Sequence, residues 1–258
     1  MAISRSQLVK ELEPGLNALF GLEYNRYENE HSEIFDSESS DRAFEEEVIL
    51  SGFGAAPVKS EGEGVAFDTA QEGFTARYTH ETIAMAFAIT EEAIEDNLYD
   101  RLAGRYTRAL ARSMANTKQV KAANVLNNAF NSSFTGGDGV ELCSAVHPLT
   151  NGGTFANELS TAADLSETSM EQSDNDINAM ASMGMLPQGY RVNHYLTDTD
   201  AFFIMTDAPN GMKQFVRAPI KTAMEGDFDT GNVRFKARER YSFGFSDPRG
   251  IFGSPGAA

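Results

Sequence analysis

The sequence has one cysteine, no tryptophan and no long apolar run. With Cys143 alone, no disulfide can form within the chain, which favours a reducing compartment. No stretch approaches the roughly 18 consecutive apolar residues that a membrane-spanning helix needs. The sequence therefore excludes a disulfide-stabilised scaffold and predicts no membrane span.

Basic residues are also scarce. There are 21 Lys and Arg residues against 38 Asp and Glu, which gives a net charge of −17. Proteins that wrap nucleic acid need clustered Lys and Arg to neutralise phosphates. Apolar residues make up 41% of the chain, which is typical of a folded globular protein. We therefore expect a folded protein whose bulk surface does not bind nucleic acid.

The N-terminal region combines a predicted helix with an acidic stretch. Met1–Phe20 carries charges throughout, which argues against a signal peptide. Four leucines in it recur at helical spacing: Leu8, Leu12, Leu16 and Leu19. Leu22–Glu47 then holds ten acidic residues and two arginines, with few apolar ones. This composition predicts an extended arm and not a packed element, although the stretch taken by itself favours a solvated loop.

Val48–Thr90 predicts one long hairpin with its tip at Ser60–Gly64. Its return strand alternates, because Ile83, Met85, Phe87 and Ile89 share one face. A glycine-rich hairpin of this length cannot bury itself. We therefore expect it to lie on another surface, which favours an assembly.

A long helix follows, with Thr90 as its cap and Glu91–Phe130 as its body. The apolar stripe predicted for it consists of Ile94, Leu98, Leu102, Tyr106, Leu110 and Met114, continued by Val120, Val125 and Leu126. The helix would span roughly 55–60 Å. Its length and lack of sustained heptads favour a spine that supports other layers.

The last third of the chain predicts two hairpins. The first joins Ala201–Thr206 to Met212–Val216, and the second turns at Asp227–Asn232. The final strand alternates clearly, with Glu239 as the one exception among apolar residues on its inner face. The opposite face carries a row of basic residues: Arg234, Lys236, Arg238 and Arg240.

The sequence contains only weak matches to catalytic and metal-binding motifs. Asp229-Thr230-Gly231 matches the aspartic protease triplet, but that reaction needs two carboxylates, and the flanking residues predict a turn. Asp174, Asp176 and Asn178 begin like a calcium loop, which fails at its sixth and twelfth positions. Cys143 and His147 lack the further ligands of a zinc site and a third catalytic group. We predict no catalytic, cofactor or metal site.

The basic row has three interpretations. It is a solvated strand face, a weak nucleic-acid contact, or a contact with acidic residues on a neighbouring copy. The acidic stretch Leu22–Glu47 supplies the opposite charge for the third. The candidate contacts between subunits are Glu45, Glu46, Glu47, Lys59, Arg234, Lys236, Arg238 and Arg240.

The order of these elements resembles the Hong Kong ninety-seven type capsid fold of tailed phages, an α+β fold. The local sequence is similar to the major capsid proteins of short-tailed marine phages. The stretches that carry the likeness are Ser51–Lys59, Ala84–Leu126, Gly136–Gly139, His147–Leu149 and Asp227–Ser254. The likeness covers nearly the whole chain and is more specific than any short motif above.

The resemblance implies a division of the chain and a function. Residues 1–47 would be the N-terminal arm, 48–90 the extended loop, 91–130 the spine helix of the peripheral domain, 131–221 the axial domain and 222–258 the return strands of the peripheral domain. The chain would form hexamers and pentamers of an icosahedral virion shell, assembled in the host cytoplasm around double-stranded DNA. Expected partners are a portal protein, a scaffolding protein and a decoration protein.

One departure from the family lies near Gln172 and Ser173. Relatives carry several dozen more residues there, which would supply core elements of the axial domain. Either the axial domain is truncated or the sequence given omits residues of the protein. Since loss of core elements would expose apolar surface, we favour omission and expect an intact mass above 28.1 kDa, whereas a mass of that value would indicate truncation. Two other functions stay open: a bacterial nanocompartment shell of the same fold and, remotely, an aspartic-type hydrolase that uses Asp229.

Overall fold

The computed structural model describes residues 5–50, 55–62, 64–67, 72–90, 92–93, 99–150, 152–165, 191–206, 210–227 and 231–257. They combine helices and strands, as the sequence predicts. The chain divides into two compact units. The first consists of residues 1–44, 79–123 and 214–243, and the second of residues 45–78, 124–213 and 244–258.

Within the described residues the chain forms two α-helices, ten strands and two short 3-10 helices. The helices are α1 (Arg5–Tyr24) and α2 (Tyr99–Asn127), and the 3-10 helices are Glu30–Glu33 and Pro248–Gly250. The strands are β1 (Asp36–Ser39), β2 (Phe44–Leu50), β3 (Glu72–Thr79), β4 (Glu81–Ile89), β5 (His147–Pro148), β6 (Thr154–Phe155), β7 (Phe202–Met205), β8 (Met212–Gly226), β9 (Val233–Phe245) and β10 (Ile251–Ser254).

The first unit is built on a four-stranded sheet in the order β1-β8-β9-β4. β4 and β9 are antiparallel, with Glu81 opposite Tyr241 and Ile89 opposite Val233. The predicted turn at Asp227–Asn232 is confirmed, because the Asp227 backbone N–H donates to the Asn232 carbonyl at 2.8 Å. Gly231 has a φ of 68°, a conformation that glycine adopts at little cost.

The core of this unit lies between the sheet and both helices. Phe235 and Ala237 of β9 are buried, and the alternation predicted for that strand is confirmed. Leu16 and Phe20 of α1 pack into the same cluster, as do the α2 residues Ala103, Leu110, Ala111 and Met114. Because the inner face of a strand repeats every two residues and a helix face every 3.6, both patterns meet in one core.

For the long helix, the predicted N-terminal cap is confirmed, but not every residue of the predicted apolar stripe is buried. The Thr90 hydroxyl accepts the Ala93 backbone N–H at 3.4 Å. Tyr106, however, is 50% exposed, and Val120 is also exposed. The buried face includes small residues, among them Thr107 and Ala111, that a pattern of large residues does not register. Ile94 and Leu98 lie outside the described residues.

The prediction of one hairpin over Val48–Thr90 is wrong in its second half. β2 pairs with β3, whereas β4 pairs with β9 in the four-stranded sheet. His80, between β3 and β4, is buried at this change of sheet. Its Nδ1 lies 3.0 Å from the Ser242 hydroxyl and its Nε2 lies 2.9 Å from the Ser40 hydroxyl. These contacts hold the chain at the start of β4. The prediction failed because the alternation of side chains along a strand does not identify the strand with which it pairs.

The predicted hairpin between Ala201–Thr206 and Met212–Val216 is also wrong. β7 pairs antiparallel with β10, with Met205 opposite Ile251, while β8 belongs to the four-stranded sheet. The turn is instead held by a later segment. The Asp247 backbone N–H donates to the Asn210 carbonyl at 2.8 Å. Turn residues between two predicted strands therefore do not show that the strands pair with each other.

The acidic stretch Leu22–Glu47 is not simply an extended arm. Phe35 is buried against Phe243, with ring centroids 5.0 Å apart. The His31 backbone N–H donates to Gln119 Oε1 at 3.1 Å. Two strands, β1 and β2, also form within the stretch. A few aromatic residues are thus enough to pack part of an acidic segment, because each one buries a large apolar area.

The second unit contains loops that are held by buried polar side chains. Asn157 is buried, and its amide donates to the carbonyls of Leu142, Pro248 and Ile251 at 2.7, 2.9 and 3.2 Å. Its Oδ1 accepts the Ser144 backbone N–H at 2.7 Å. The residues that begin like a calcium loop, Asp174–Asn178, and the departure near Gln172 lie outside the described residues.

Candidate subunit interface

The basic row of β9, defined as Arg234, Lys236, Arg238 and Arg240, lies on the outer face of the four-stranded sheet. These residues alternate with the buried residues of β9. On the neighbouring strand β4 they stand opposite short side chains, namely Ala88, Ala86, Ala84 and Thr82. Side chains directly opposite on paired strands are close neighbours. No bulky β4 side chain therefore stands over the row.

The four basic residues of the row differ in their surroundings. Arg234 forms an ion pair with Asp227 at the turn. Lys236 and Arg238 are exposed, and Arg240 is half-buried. The Nε of Arg240 is buried without a hydrogen-bond partner among the described residues. Lys236 and Arg238 are thus the members of the row most accessible to a partner molecule.

Lys221 of β8 extends this basic surface, and sequence reasoning missed it. Ile220 and Met224 pack against the core, so alternation places Lys221 on the outer face. Lys221 is exposed. The signal was present in the sequence, since Ile220 and Met224 are apolar at even positions with Lys221 between them. The strand prediction there stopped at Val216, and β8 continues to Gly226.

The acidic candidates have partners within their own chain. Glu46 lies 3.8 Å from Arg77 across the β2–β3 pair. Glu47 forms an ion pair with Lys213 and a hydrogen bond with the Ser246 hydroxyl. Glu45 is not without an interaction partner either. Glu46 and Glu47 therefore take part in contacts within the second unit.

Lys59 belongs to an exposed loop, which we define as residues 55–62 and 64–67. Every residue of this loop is exposed, and it forms neither helix nor strand. Val58 and Phe67 are each 97% exposed, and Val65 is 69% exposed. A turn at Glu61 and Gly62 lies within the predicted tip. Apolar side chains this exposed are characteristic of a binding surface.

The buried carboxylate of Glu239 links three elements of the first unit. Its Oε2 accepts a hydrogen bond from the Tyr24 hydroxyl of α1 at 3.0 Å and lies 3.8 Å from Lys118 Nζ of α2. Burial raises the pKa of Glu239, and the nearby Lys118 opposes that shift. Burial and the Glu239 carboxylate also raise the pKa of Tyr24. Since the group is enclosed, it serves packing rather than contact with another molecule.

The remaining candidates for chemistry are also enclosed. Burial raises the pKa of the Cys143 thiol to about 12, so the thiol stays protonated at neutral pH and is a poor nucleophile. His147 Nδ1 lies 2.6 Å from Asp138 Oδ2, and its ring stacks on Phe155. Asp229 lies outside the described residues. No group of three potential metal ligands occurs within the described ranges, and no helix there is long and apolar enough to cross a membrane.

Comparison with known proteins finds a partial family match and similar solved structures. Residues 73–187 match the family model described as phage capsid protein. The subunit of the procapsid of bacteriophage JBD30 is similar over 99% of this chain and 77% of its own, with 14% identity and a TM-score of 0.65. This likeness shows that the chain shares the fold of that procapsid subunit.

Two further structures extend the comparison. The bacteriophage JBD30 capsid subunit is similar over 87% of this chain and 64% of its own, with 13% identity and a TM-score of 0.56. The virus-like particle subunit from Pyrococcus furiosus covers 93% and 98% of the two chains, with 11% identity and a TM-score of 0.49. A comparison with curated proteins finds no significant match. The chain spans 77% and 64% of the two JBD30 subunits.

Proposed function

We propose that this protein is a phage capsid protein and the repeating structural subunit of the icosahedral head of a tailed phage. The observation that carries the proposal is the likeness to a phage procapsid subunit over 99% of the chain, with a TM-score of 0.65. The family match over residues 73–187 supports it independently, because it rests on sequence. The subunits form hexamers and pentamers that enclose double-stranded DNA.

The positions of the buried titratable groups and of the exposed charged and apolar side chains support a function in subunit contacts. Glu239 and Cys143, whose pKa values are raised by burial, are enclosed. The accessible features are the basic row and the exposed loop, with its apolar side chains. Complementary charges between copies set orientation and exclude wrong pairings. Apolar anchors that become buried on association contribute most of the affinity at such interfaces.

Each part of the chain has a role in this proposal. Residues 1–47 form the N-terminal arm, 48–90 the extended loop that reaches a neighbour, and 91–130 the spine helix. Residues 131–221 form the axial domain, and 222–258 return to the peripheral domain. The candidate contacts on the loop and on the sheet are Lys59 and the basic row. Glu45, Glu46 and Glu47 join them only if their intrachain pairs exchange on assembly.

The partners in the proposal are further copies of the chain, a portal protein, a scaffolding protein and a decoration protein. DNA is packaged without sequence-specific contact, in line with the net charge of −17. The proposed location is the virion shell.

Electron microscopy of the purified protein tests the proposal. We expect closed shells of uniform size, on the order of tens of nanometres across, from a subunit that must bury large interfaces. The protein should be expressed alone and together with the genes that flank its coding sequence. Shells in either preparation support the proposal. Only monomers or irregular aggregates in both would contradict it.

A further inference from the structure

β4 forms one edge of the four-stranded sheet. It pairs with β9 on one side, and within the described residues no strand pairs with its other side. Alternate N–H and C=O groups of an edge strand point away from its only partner. β4 is nine residues long and contains no proline, and its one charged residue, Glu81, lies at its first position. Proteins usually protect such an edge with charges, proline or a covering segment.

The side chains of β4 leave apolar surface open at the same edge. Ile83 and Phe87 pack against the core, whereas Met85 between them is 50% exposed. The other face consists of short side chains, with Ala84, Ala86 and Ala88 all exposed. A partner strand along this edge would thus meet large apolar residues on one face and alanines on the other.

The exposed loop carries the same pattern. Its residues 64–67 read Gly-Val-Ala-Phe, so in an extended conformation Val65 and Phe67 share one face, with Gly64 and Ala66 on the other. Residues 84–88 of β4 read Ala-Met-Ala-Phe-Ala. Val65 and Phe67 are 69% and 97% exposed, and neither has an apolar cover in the described chain.

We propose that the Gly64–Phe67 part of the exposed loop of one copy adds as a strand to the free edge of β4 on a neighbouring copy. Val65 and Phe67 then continue the apolar face of the sheet and cover Met85. Gly64 and Ala66 continue the row of short side chains, which leaves the basic row of β9 open. Backbone hydrogen bonds supply affinity in such strand addition, and the alternating side chains set which face is inward.

The inference rests on the proposed shell function, because it names the two surfaces of adjacent copies that meet. Its occupant is a second copy of this chain for two reasons. The loop has apolar residues that the described part of the chain leaves exposed, and the edge has the matching apolar face. A four-residue strand spans about 13 Å, which fits within the roughly 30 Å of β4.

Crosslinking between two populations of subunits tests the contact. One population carries Phe67→Cys and the other Met85→Cys, and they are assembled together and treated with a short bismaleimide. The single native thiol, Cys143, is buried, and its raised pKa of about 12 keeps it unreactive. We expect a covalent dimer that contains one copy of each variant. The matched control replaces Met85→Cys by Lys221→Cys, which lies on the outer face of β8, and should give no dimer.

A second measurement uses the unmodified protein. Hydrogen exchange of the backbone amides of residues 81–89 is compared between assembled shells and unassembled subunits. We expect about tenfold or greater slowing for the outward-pointing amides on assembly, because they gain hydrogen-bond partners. Phe67→Ser should reduce the yield of shells about tenfold or more, while Ala66→Ser, one position away and on the opposite face, should change it little.

The outcomes separate this inference from the proposed function. Closed shells with neither a mixed dimer nor slowed exchange in β4 would overturn the strand addition and leave the shell function standing. If the cysteine variants do not assemble, the exchange measurement on unmodified shells decides alone. Failure of the unmodified protein to form shells in any preparation would overturn both.

Discussion

The hydroxyl of Tyr24, the last residue of α1, donates a 3.0 Å hydrogen bond to the buried carboxylate of Glu239 on β9. Lys118 of α2 lies 3.8 Å from the same carboxylate oxygen and 5.4 Å from the Tyr241 ring centroid. One acidic residue on the inner face of the sheet thus holds both helices. The other carboxylate oxygen of Glu239 has no hydrogen-bond partner among the described residues.

Removal of the Tyr24 hydroxyl should destabilise the first unit. Tyr24→Phe keeps the ring but leaves a buried carboxylate oxygen without its donor, which costs about 2 kcal/mol. Denaturant unfolding of the unassembled subunit measures the loss. Tyr27→Phe is the matched control, since Tyr27 is exposed and should change stability little. Equal effects of the two substitutions would show that the Tyr24–Glu239 bond contributes nothing.

The stability of the subunit should depend on pH through Glu239. Burial raises its pKa above the usual value of 4.5, so the folded chain holds this proton to higher pH than the unfolded chain does. The contribution of protonated Glu239 to stability is therefore complete below about pH 4.5 and is lost as pH rises through the raised pKa.

The variant Glu239→Gln isolates this contribution from that of the other acidic residues. We expect the free energy of unfolding of the unmodified protein, minus that of the variant, to fall as pH rises from 4.5 towards neutrality. Parallel pH profiles for the two proteins would contradict a raised pKa at Glu239.

Asn157 should be among the most sensitive polar residues of the second unit. Asn157→Ala removes three donated hydrogen bonds to buried carbonyls and one accepted from Ser144. Each buried group left without a partner is costly, and we expect a total loss of about 3 kcal/mol or more. Thermal unfolding measures it, with the exposed Asn131→Ala as control. A change as small as that of the control would mean that water replaces the amide.

Charge reversal in the basic row should impair assembly without unfolding the subunit. Lys236→Glu combined with Arg238→Glu alters two exposed side chains, so we expect the Tm of the unassembled subunit to shift by about 2 °C or less. Shell yield should fall about tenfold or more, because like charges across an interface repel.

Arg105→Glu combined with Arg108→Glu provides the matched control for the basic row. Both of these arginines are exposed on α2, so the net change in charge is the same. Normal shells from the β9 variant would contradict a role of the row in subunit contacts. Impaired assembly in both variants would indicate a general effect of added negative charge.

The comparison of sequence and structure shows which kinds of inference succeeded. Period-two alternation identified the inner and outer faces of β9, including the place of Glu239 among apolar residues. The Thr90 cap and the turn at Asp227–Asn232 were also predicted correctly. All three depend on residues close together in the chain, where sequence spacing and spatial contact are nearly the same thing.

The errors concern partners that are distant in sequence. β4 and β7 were recognised as strands, but each was paired with the wrong neighbour. The buried face of α2 was predicted from its large residues, while Ala103, Thr107 and Ala111 form much of the actual contact. Small residues carry little hydrophobic signal, yet they allow a helix to approach a sheet closely.

The sequence by itself determined the α+β class, the family resemblance, the acidic character and the outer position of the basic row. Only the tertiary structure decided which strands pair, that Glu46 and Glu47 are held within their own chain, and that β4 lies at a sheet edge. The physical reason is that alternation and capping act over a few residues. Strand pairing and ion pairing depend instead on which distant segments the packed core brings together.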